Sequence, residues 1–267
     1  MNDNQAVYTE GPKYEAIDQA KLDTLRRKHA WLVDPLYAAS DRVAAMPFFD
    51  WVRALRTPQE FKCVAEQLYH HSATFPKVMG IMLGLTSMRE NSMMPFYSKH
   101  AYGESDHHML LRNWMRKHGV IGSDDELDAV LPSIETNACI NLAYQLAIEQ
   151  DRDKWLVTIN SGIERCSNDF FKVVAPRMHA LGAGDVYFDV HVEADEHHSI
   201  MGLEYLSEID PASHRARVLL TKALEGVSLW ASMIHSWIGM TVSPAFKLDG
   251  SLASGSSRAA APTTSAA

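Results

Sequence analysis

Apolar residues recur at helical spacing along most of the chain, and period-two runs of Val, Ile and Thr are scarce. The pattern therefore predicts helices and does not support strands. The boundaries carry their own chemistry. Thr57-Pro58-Gln59-Glu60 combines an N-cap Thr, a Pro at the first helical position and a Glu at the third. Asp210-Pro211 opens a periodic run that lasts to about Ile238. Leu131-Pro132-Ser133 breaks one helix, and Ser133 or Thr136 caps the next. Gly182-Ala183-Gly184-Asp185 ends a helix and caps its successor. The predicted helices are 14–28, 31–47, 58–74, 77–91, 95–118, 134–150, 153–181, 185–207 and 211–238, with Pro76 kinking or dividing its region. Long helices with short connections predict an all-α antiparallel bundle, a fold that builds metal and cofactor sites from side chains on facing helices.

The two ends differ from this pattern. Residues 1–12 are expected to be a flexible N-terminus. The Ser/Ala/Gly/Thr-rich end, 246–267, is expected to be a disordered tail, since it cannot pack a core. Residues 13–245 then form one helical-bundle catalytic domain, long enough to bury a full core.

Composition narrows the partners. With a formal net charge of -8, phosphate binding lacks its basic patch, so no nucleic acid and no anionic membrane is expected. The N-terminus has no apolar signal region and no stretch of about 20 apolar residues occurs. Three widely spaced cysteines, Cys63, Cys139 and Cys166, make no CxxC, which suits a reducing cytoplasm. There is no Gly-rich phosphate loop and no recognisable Ser/His/Asp arrangement.

The chemistry concentrates in DVHVEADEHHSI, Asp189 to Ile200. On a helix, His191, Asp195 and His198 fall at i, i+4 and i+7 and share one face, while Glu193, Glu196 and His197 can face solvent. A charged surface helix is the plainer reading, and one helix cannot close a metal site. Partners are present, however. Glu104 and His107 have the Glu-x-x-His spacing of carboxylate di-iron bundles, with His108 as a rival ligand. Glu164 lies amid Leu156, Ile159, Gly162, Ile163, Phe170 and Phe171, where a carboxylate is expensive to bury unless paired or metal-bound. An exposed Glu beside Arg165 is its plainer reading, and Glu149 is its competitor. Together Glu104, His107, Glu164, His191, Asp195 and His198 can hold two Fe(II) ions, or Mn, and leave positions open for O2 and a small-molecule substrate. The aliphatic run Val78 to Leu83 either lines a chain-shaped pocket or is core. Tyr69-His70-His71 either touches substrate or holds buried, hydrogen-bonded histidines.

At these residues the chain resembles the haem-oxygenase-like di-iron oxidases and oxygenases. His-x3-Asp-x2-His is matched by His191, Asp195 and His198. GESDHHMLLRNWMRKHGV is most similar to the branch that forms 1-undecene from a fatty acid, with Glu104 and His107 on its Glu-x-x-His. Other members place the first Glu further upstream, near His100 of this chain. Glu164 matches the central carboxylate, to which the resemblance gives a bridging role. The resemblance spans roughly residues 25 to 235. It implies a seven-helix bundle with a central metal site and O2 activation on a small carboxylate- or amine-bearing molecule. Oxidative decarboxylation or desaturation of an aliphatic acid is the favoured outcome, with N-oxygenation or C–C cleavage as alternatives. An external electron donor and a homodimer are compatible with such an enzyme. Three further readings stand beside it: a metal-free thiaminase-like or quinone-cofactor-forming enzyme, a haem binder using His29, His70 or His71, and a non-enzymatic helical protein.

Overall fold

The computed structural model describes residues 18–253, apart from the side chains of residues 193–197, 200 and 201. The expectations for residues 1–12 and for the far end of the tail lie outside the described residues.

Among the described residues the elements are α-helical, with 3-10 turns at Pro58–Phe61 and Met88–Met93. In chain order they are α1 (Gln19–Lys28), α2 (Ala30–Ala44), α3 (Pro47–Ala54), α4 (Lys62–Leu85), α5 (Met94–Gly103), α6 (His107–Lys117), α7 (Asp124–Ala129) and α8 (Ile134–Glu149). After α9 (Arg152–Trp155) the helix runs on as a π-helix, Leu156–Glu164, and then as α10 (Arg165–Ala180). α11 (Val186–Tyr205) and α12 (His214–Ser236) complete the bundle. No helix among the described residues is long and apolar enough to cross a membrane.

Several boundaries follow the sequence signals. Ser133 Oγ accepts from the Thr136 amide and Asp185 from the Tyr187 amide, each supplying one of the acceptors a helix start lacks. The last helix begins later than expected, at His214, because Ser213 rather than Asp210 caps it through the Ala216 amide. Other signals misled. Pro76 neither ends nor divides α4, which runs unbroken from Lys62 to Leu85 and merges most of the two helices expected there. The expected helix 95–118 is two helices. Glu104-Ser105-Asp106 interrupts it, with Ser105 Oγ donating to the Tyr102 carbonyl at 2.7 Å and offering the backbone a non-helical partner. Residues 246–253, assigned to the tail on composition, turn back over the bundle. Phe246 and Leu252 form an antiparallel bridge, and Gly250, at φ +77°, presses on the Pro35 carbonyl where no side chain would fit.

The π-helix is the axis of the fold. All nine of its residues are buried, and α11 and α12 lie on either side of it. Two glycines permit that approach. A Cβ on Gly202 of α11 would stand 2.7 Å from Asn160 Cβ and 3.1 Å from the Leu156 carbonyl, and one on Gly226 of α12 would stand 2.9 Å from Thr158 Cγ2. Large aromatics, including Trp114, Trp155, Trp230, Phe170 and Phe188, fill the surrounding core.

The contact at Gly202 is with backbone and a Cβ, which cannot swing aside. Gly202→Ala is therefore expected to cost about 1–3 kcal/mol of stability, read as a lower urea midpoint at unchanged slope.

Candidate metal centre

The break between α5 and α6 creates the first part of the site. Glu104 closes α5, its amide bonded to the His100 carbonyl at 3.1 Å, and His107 opens α6. The two residues therefore meet across a joint, not along one helix face as the spacing suggested. Glu104 Oε2 accepts from His107 Nδ1 at 2.9 Å. His100, one turn before Glu104, contributes a third side chain, with Nε2 3.1 Å from Glu164 Oε1.

Glu164 ends the π-helix, and only 4% of it is exposed. A π-helix widens each turn, so it aims side chains where a regular helix would not, and such segments recur at functional sites. α11 supplies the rest. His191 Nδ1 donates to the Tyr187 carbonyl at 2.6 Å, which fixes the tautomer and leaves Nε2 as a lone pair. Its ring stacks on Phe171 at 4.2 Å and 22°, and lies 4.2 Å from the His107 ring. His198 Nδ1 lies 3.5 Å from Glu104 Oε1 and 3.8 Å from Glu164 Oε2. α11 is gripped by its own carbonyls: Asn160 Nδ2 donates to the His198 carbonyl at 3.2 Å and Asn168 Nδ2 to the Val192 carbonyl at 3.0 Å.

Five sequence candidates, Glu104, His107, Glu164, His191 and His198, thus come together in the bundle centre, all buried. Asp195 sits on α11 between the two histidines, with its side chain outside the described residues. His108 points to Tyr69 instead, at 6.0 Å between rings, and Glu149 is tied to Lys154 and Gln145 near the surface. His100 belongs to the cluster. One ligand atom each from His100, Glu104, Glu164 and His198 lies within 4.8 Å of the others. Its signal in the sequence was its place four residues before Glu104.

The geometry divides in two around Glu104. Oε1 faces His198 and, at 4.0 Å, His100, whereas Oε2 faces His107, whose ring adjoins His191. Glu104, rather than Glu164, is the carboxylate with one oxygen toward each imidazole set. Its Oε1 is buried yet accepts no hydrogen bond, a costly arrangement for an anionic oxygen unless a cation sits against it. The donor set is carboxylate and imidazole without thiolate, which suits iron or manganese better than a structural zinc. The residues fit such an ion.

Electrostatics hold the carboxylates ionised. Burial opposes the charge on Glu164, but hydrogen bonds from His100 and His198 outweigh it and bring its pKa down to about 2. Glu104 is likewise held well below the usual carboxylate range, burial being outweighed by His107, His198 and His100. Burial acts on His107 too, yet Glu104 raises it. Burial drives His191 down to about 3, with the charge of His107 adding to it, and drives His71 down to about 4 against the pull of Glu164 and Glu104.

A cavity opens on these groups. Glu104, Glu164, His191 and His71 meet it, among apolar walls that include Leu68, Ile163 and Phe171. Val78, from the aliphatic run, lines a neighbouring cavity, while Met79 and Met82 lie beside His100 and Tyr97.

His71 and His191 are neutral in the fold, with pKa values of about 4 and about 3 against 6.5 for an ordinary histidine. As pH falls below about 6.5 the unfolded chain takes up protons that the folded one refuses, so stability is lost on the acid side. The depressed carboxylates act in the same direction at lower pH, since their contribution is present above about 4.5 and disappears as Glu164 protonates toward about 2. Metal-free protein is expected to show urea midpoints that fall steadily between about pH 6.5 and 4, with a shallower fall in His71→Phe.

Solved structures similar in fold include the following three. A TenA homologue from Pseudomonas syringae pv. tomato has a TM-score of 0.66 at 17% identity, covering 78% of this chain and 93% of its own. A domain of unknown function with a haem-oxygenase-like fold from Shewanella denitrificans has a TM-score of 0.61 at 15% identity, covering 84% and 93%. A TenA homologue from Pyrococcus furiosus has a TM-score of 0.51 at 12% identity, covering 78% and 97%. At these identities the likeness shows the fold alone, which is all-α and haem-oxygenase-like. No curated protein matches the chain. The model of one family, described as iron-containing redox enzymes, matches residues 62–231, which include every side chain of the cluster. With more than half of its length in that match, the chain belongs to the family of iron-containing redox enzymes.

Proposed function

We propose that the chain is a non-haem, O2-dependent di-iron oxidase or oxygenase acting on a small carboxylate- or amine-bearing molecule. The observation that carries this reading is Glu104, a buried carboxylate with one oxygen turned to each of two imidazole sets. His100, Glu164 and His198 would hold one ion with Glu104 Oε1, and His107 and His191 the other with Oε2. Asp195 is assigned to the same centre from its place on α11. Iron(II) held there would supply the reduction of O2.

The remaining work belongs to the protein. The Tyr187 carbonyl fixes the His191 tautomer, and Asn160 and Asn168 set the height of α11. Apolar walls keep bulk water from the centre, which strengthens every charge interaction inside it. Glu104 orients the His107 ring through Nδ1. The apolar space next to the carboxylates favours an aliphatic acid, with oxidative decarboxylation or desaturation as the outcome. O2 accepts more electrons than such a reaction releases, so an external donor supplies the balance.

A second reading, a metal-free enzyme, draws on the two TenA homologues among the similar structures. It needs no convergent carboxylates, and Glu104 and Glu164 would then be buried charges held by histidines alone.

Metal content separates the two. Protein loaded anaerobically with Fe(II) is expected to hold about two irons per chain and to consume O2 on exposure. Glu164→Ala should retain about one, and Glu104→Ala, which removes an oxygen from each set, should lose most of both. Wild-type protein that takes up no iron, and melts at the same temperature with or without it, would sink the di-iron reading in favour of the metal-free one.

A further inference from the structure

The outward face of α8 carries no charge. Ile134, Asn137, Asn141, Gln145 and Ile148 are exposed along it, the two isoleucines at 83% and 64%. Other helices set charges on their exposed positions, such as Arg116 and Lys117 on α6 and Arg217 and Glu225 on α12. Exposed isoleucine is costly to leave in water, and here it stands at both ends of one stripe.

The stripe is symmetric about its middle. Asn141 lies seven residues after Ile134 and seven before Ile148, and Asn137 and Gln145 lie four residues to either side of it. Seven residues make nearly two helical turns, so Ile134, Asn141 and Ile148 fall along one line. In either direction the face runs isoleucine, amide, amide, amide, isoleucine. Such a face complements itself when a second copy lies antiparallel, the arrangement that a two-fold axis at Asn141 produces. Ile134 then meets the partner's Ile148, Asn137 the partner's Gln145, and Asn141 its own copy. Side-chain amides hold donors and an acceptor and pair with one another. Gln145 Nε2 donates to Glu149 at 2.7 Å within the chain, which leaves its carbonyl oxygen to accept from the partner's Asn137. Asn137 Nδ2 has a second N–H beyond the one directed at the Pro132 carbonyl.

The flanks extend the match. Leu131 is exposed one turn before Ile134. Leu85 and Met88 are exposed near Ile148, where Gln150 Nε2 ties the end of α8 to the Met82 carbonyl of α4 at 3.4 Å. The two-fold brings these opposite apolar ends together. Glu149, beside Ile148, is paired with Lys154 at 2.8 Å. Charge identifies the occupant. Chains of formal net charge -8 repel one another over most approaches, and an uncharged face is where two copies can meet. The 16 residues of α8 span about 24 Å. With α4 packed beside it, the face covers roughly 500 Å² on each copy, or about 1,000 Å² in all, the size at which specific interfaces begin.

We propose that the chain forms a two-fold homodimer in which α8 packs antiparallel on the partner's α8, with Asn141 at the axis. The assignment is independent of the metal reading, since none of the residues assigned to the centre lies on α8.

The test is sedimentation velocity on the full chain. Wild type is expected to sediment as a dimer at micromolar concentration. Ile148→Asp sets a carboxylate against the partner's Ile134 twice in each dimer. It is expected to weaken association at least about a hundredfold, with the helical circular-dichroism signal unchanged because the position is exposed within the chain. Ile134→Asp should do the same, whereas Thr221→Asp, on the exposed face of α12, should leave the dimer intact. Cross-linking reads the register. In a Cys63→Ser chain, Asn141→Cys should form a disulfide with its own copy on mild oxidation. Asn137→Cys should couple to Gln145→Cys in a mixture of the two, and neither to itself. Wild type that sediments as a monomer throughout this range overturns the proposal. A dimer that survives both aspartates overturns it as well, because the interface then lies elsewhere. Failure of Asn141→Cys to cross-link within an intact dimer overturns the two-fold at that residue.

Discussion

The structure depends on keeping two carboxylates ionised where water does not reach them. Burial of either one alone would cost several kcal/mol, and the usual escape is to take up a proton. Glu104 and Glu164 do not take it, because each is met by imidazole nitrogens on both sides. The four side chains that converge within 4.8 Å come from three separate stretches of chain, so the centre exists only when α5, the π-helix and α11 are all docked. Pairing of this kind is weak evidence for stability in itself, since apolar groups would pack at less cost. The arrangement makes better sense as preparation for a cation.

The helices around the centre show how that cost is supported. The π-helix is fully buried and held between α11 and α12, with Gly202 and Gly226 of those helices set against it. A wide helix is less favourable than a regular one, and it persists here because its neighbours leave it no room to tighten. Its polar residues are put to use. Asn160 grips α11, and Glu164 is delivered at the end of the segment, just before the regular helix resumes.

Much of this was legible in the sequence, and the failures have physical reasons. The bundle, its caps at Ser133 and Asp185 and five clustered residues followed from helical periodicity and ligand spacing. The joint at Glu104 did not, because Glu-x-x-His reads the same whether it lies along one helix or across a break. The π-helix was invisible, since LVTINSGIE has the apolar content of any buried helix and only packing decides its pitch. Pro76 looked like a divider, but packing of α4 against α5, α6 and α8 overrides a local preference. His100 was noted only as the place near which other members set their first Glu, because the Glu-x-x-His spacing already supplied a histidine, and a single sequence does not show which imidazole faces inward.

The two asparagine clamps have a broader meaning. Asn160 and Asn168 hold α11 by main-chain oxygens, and a main-chain oxygen is the same whatever side chain its residue carries. The register of this helix is therefore set independently of what it presents to the centre. Such a mounting behaves like a socket: the inward row can be rewritten, one side chain at a time, while the part that seats it stays in place. A scaffold of that kind can change its chemistry without first relearning how to fold.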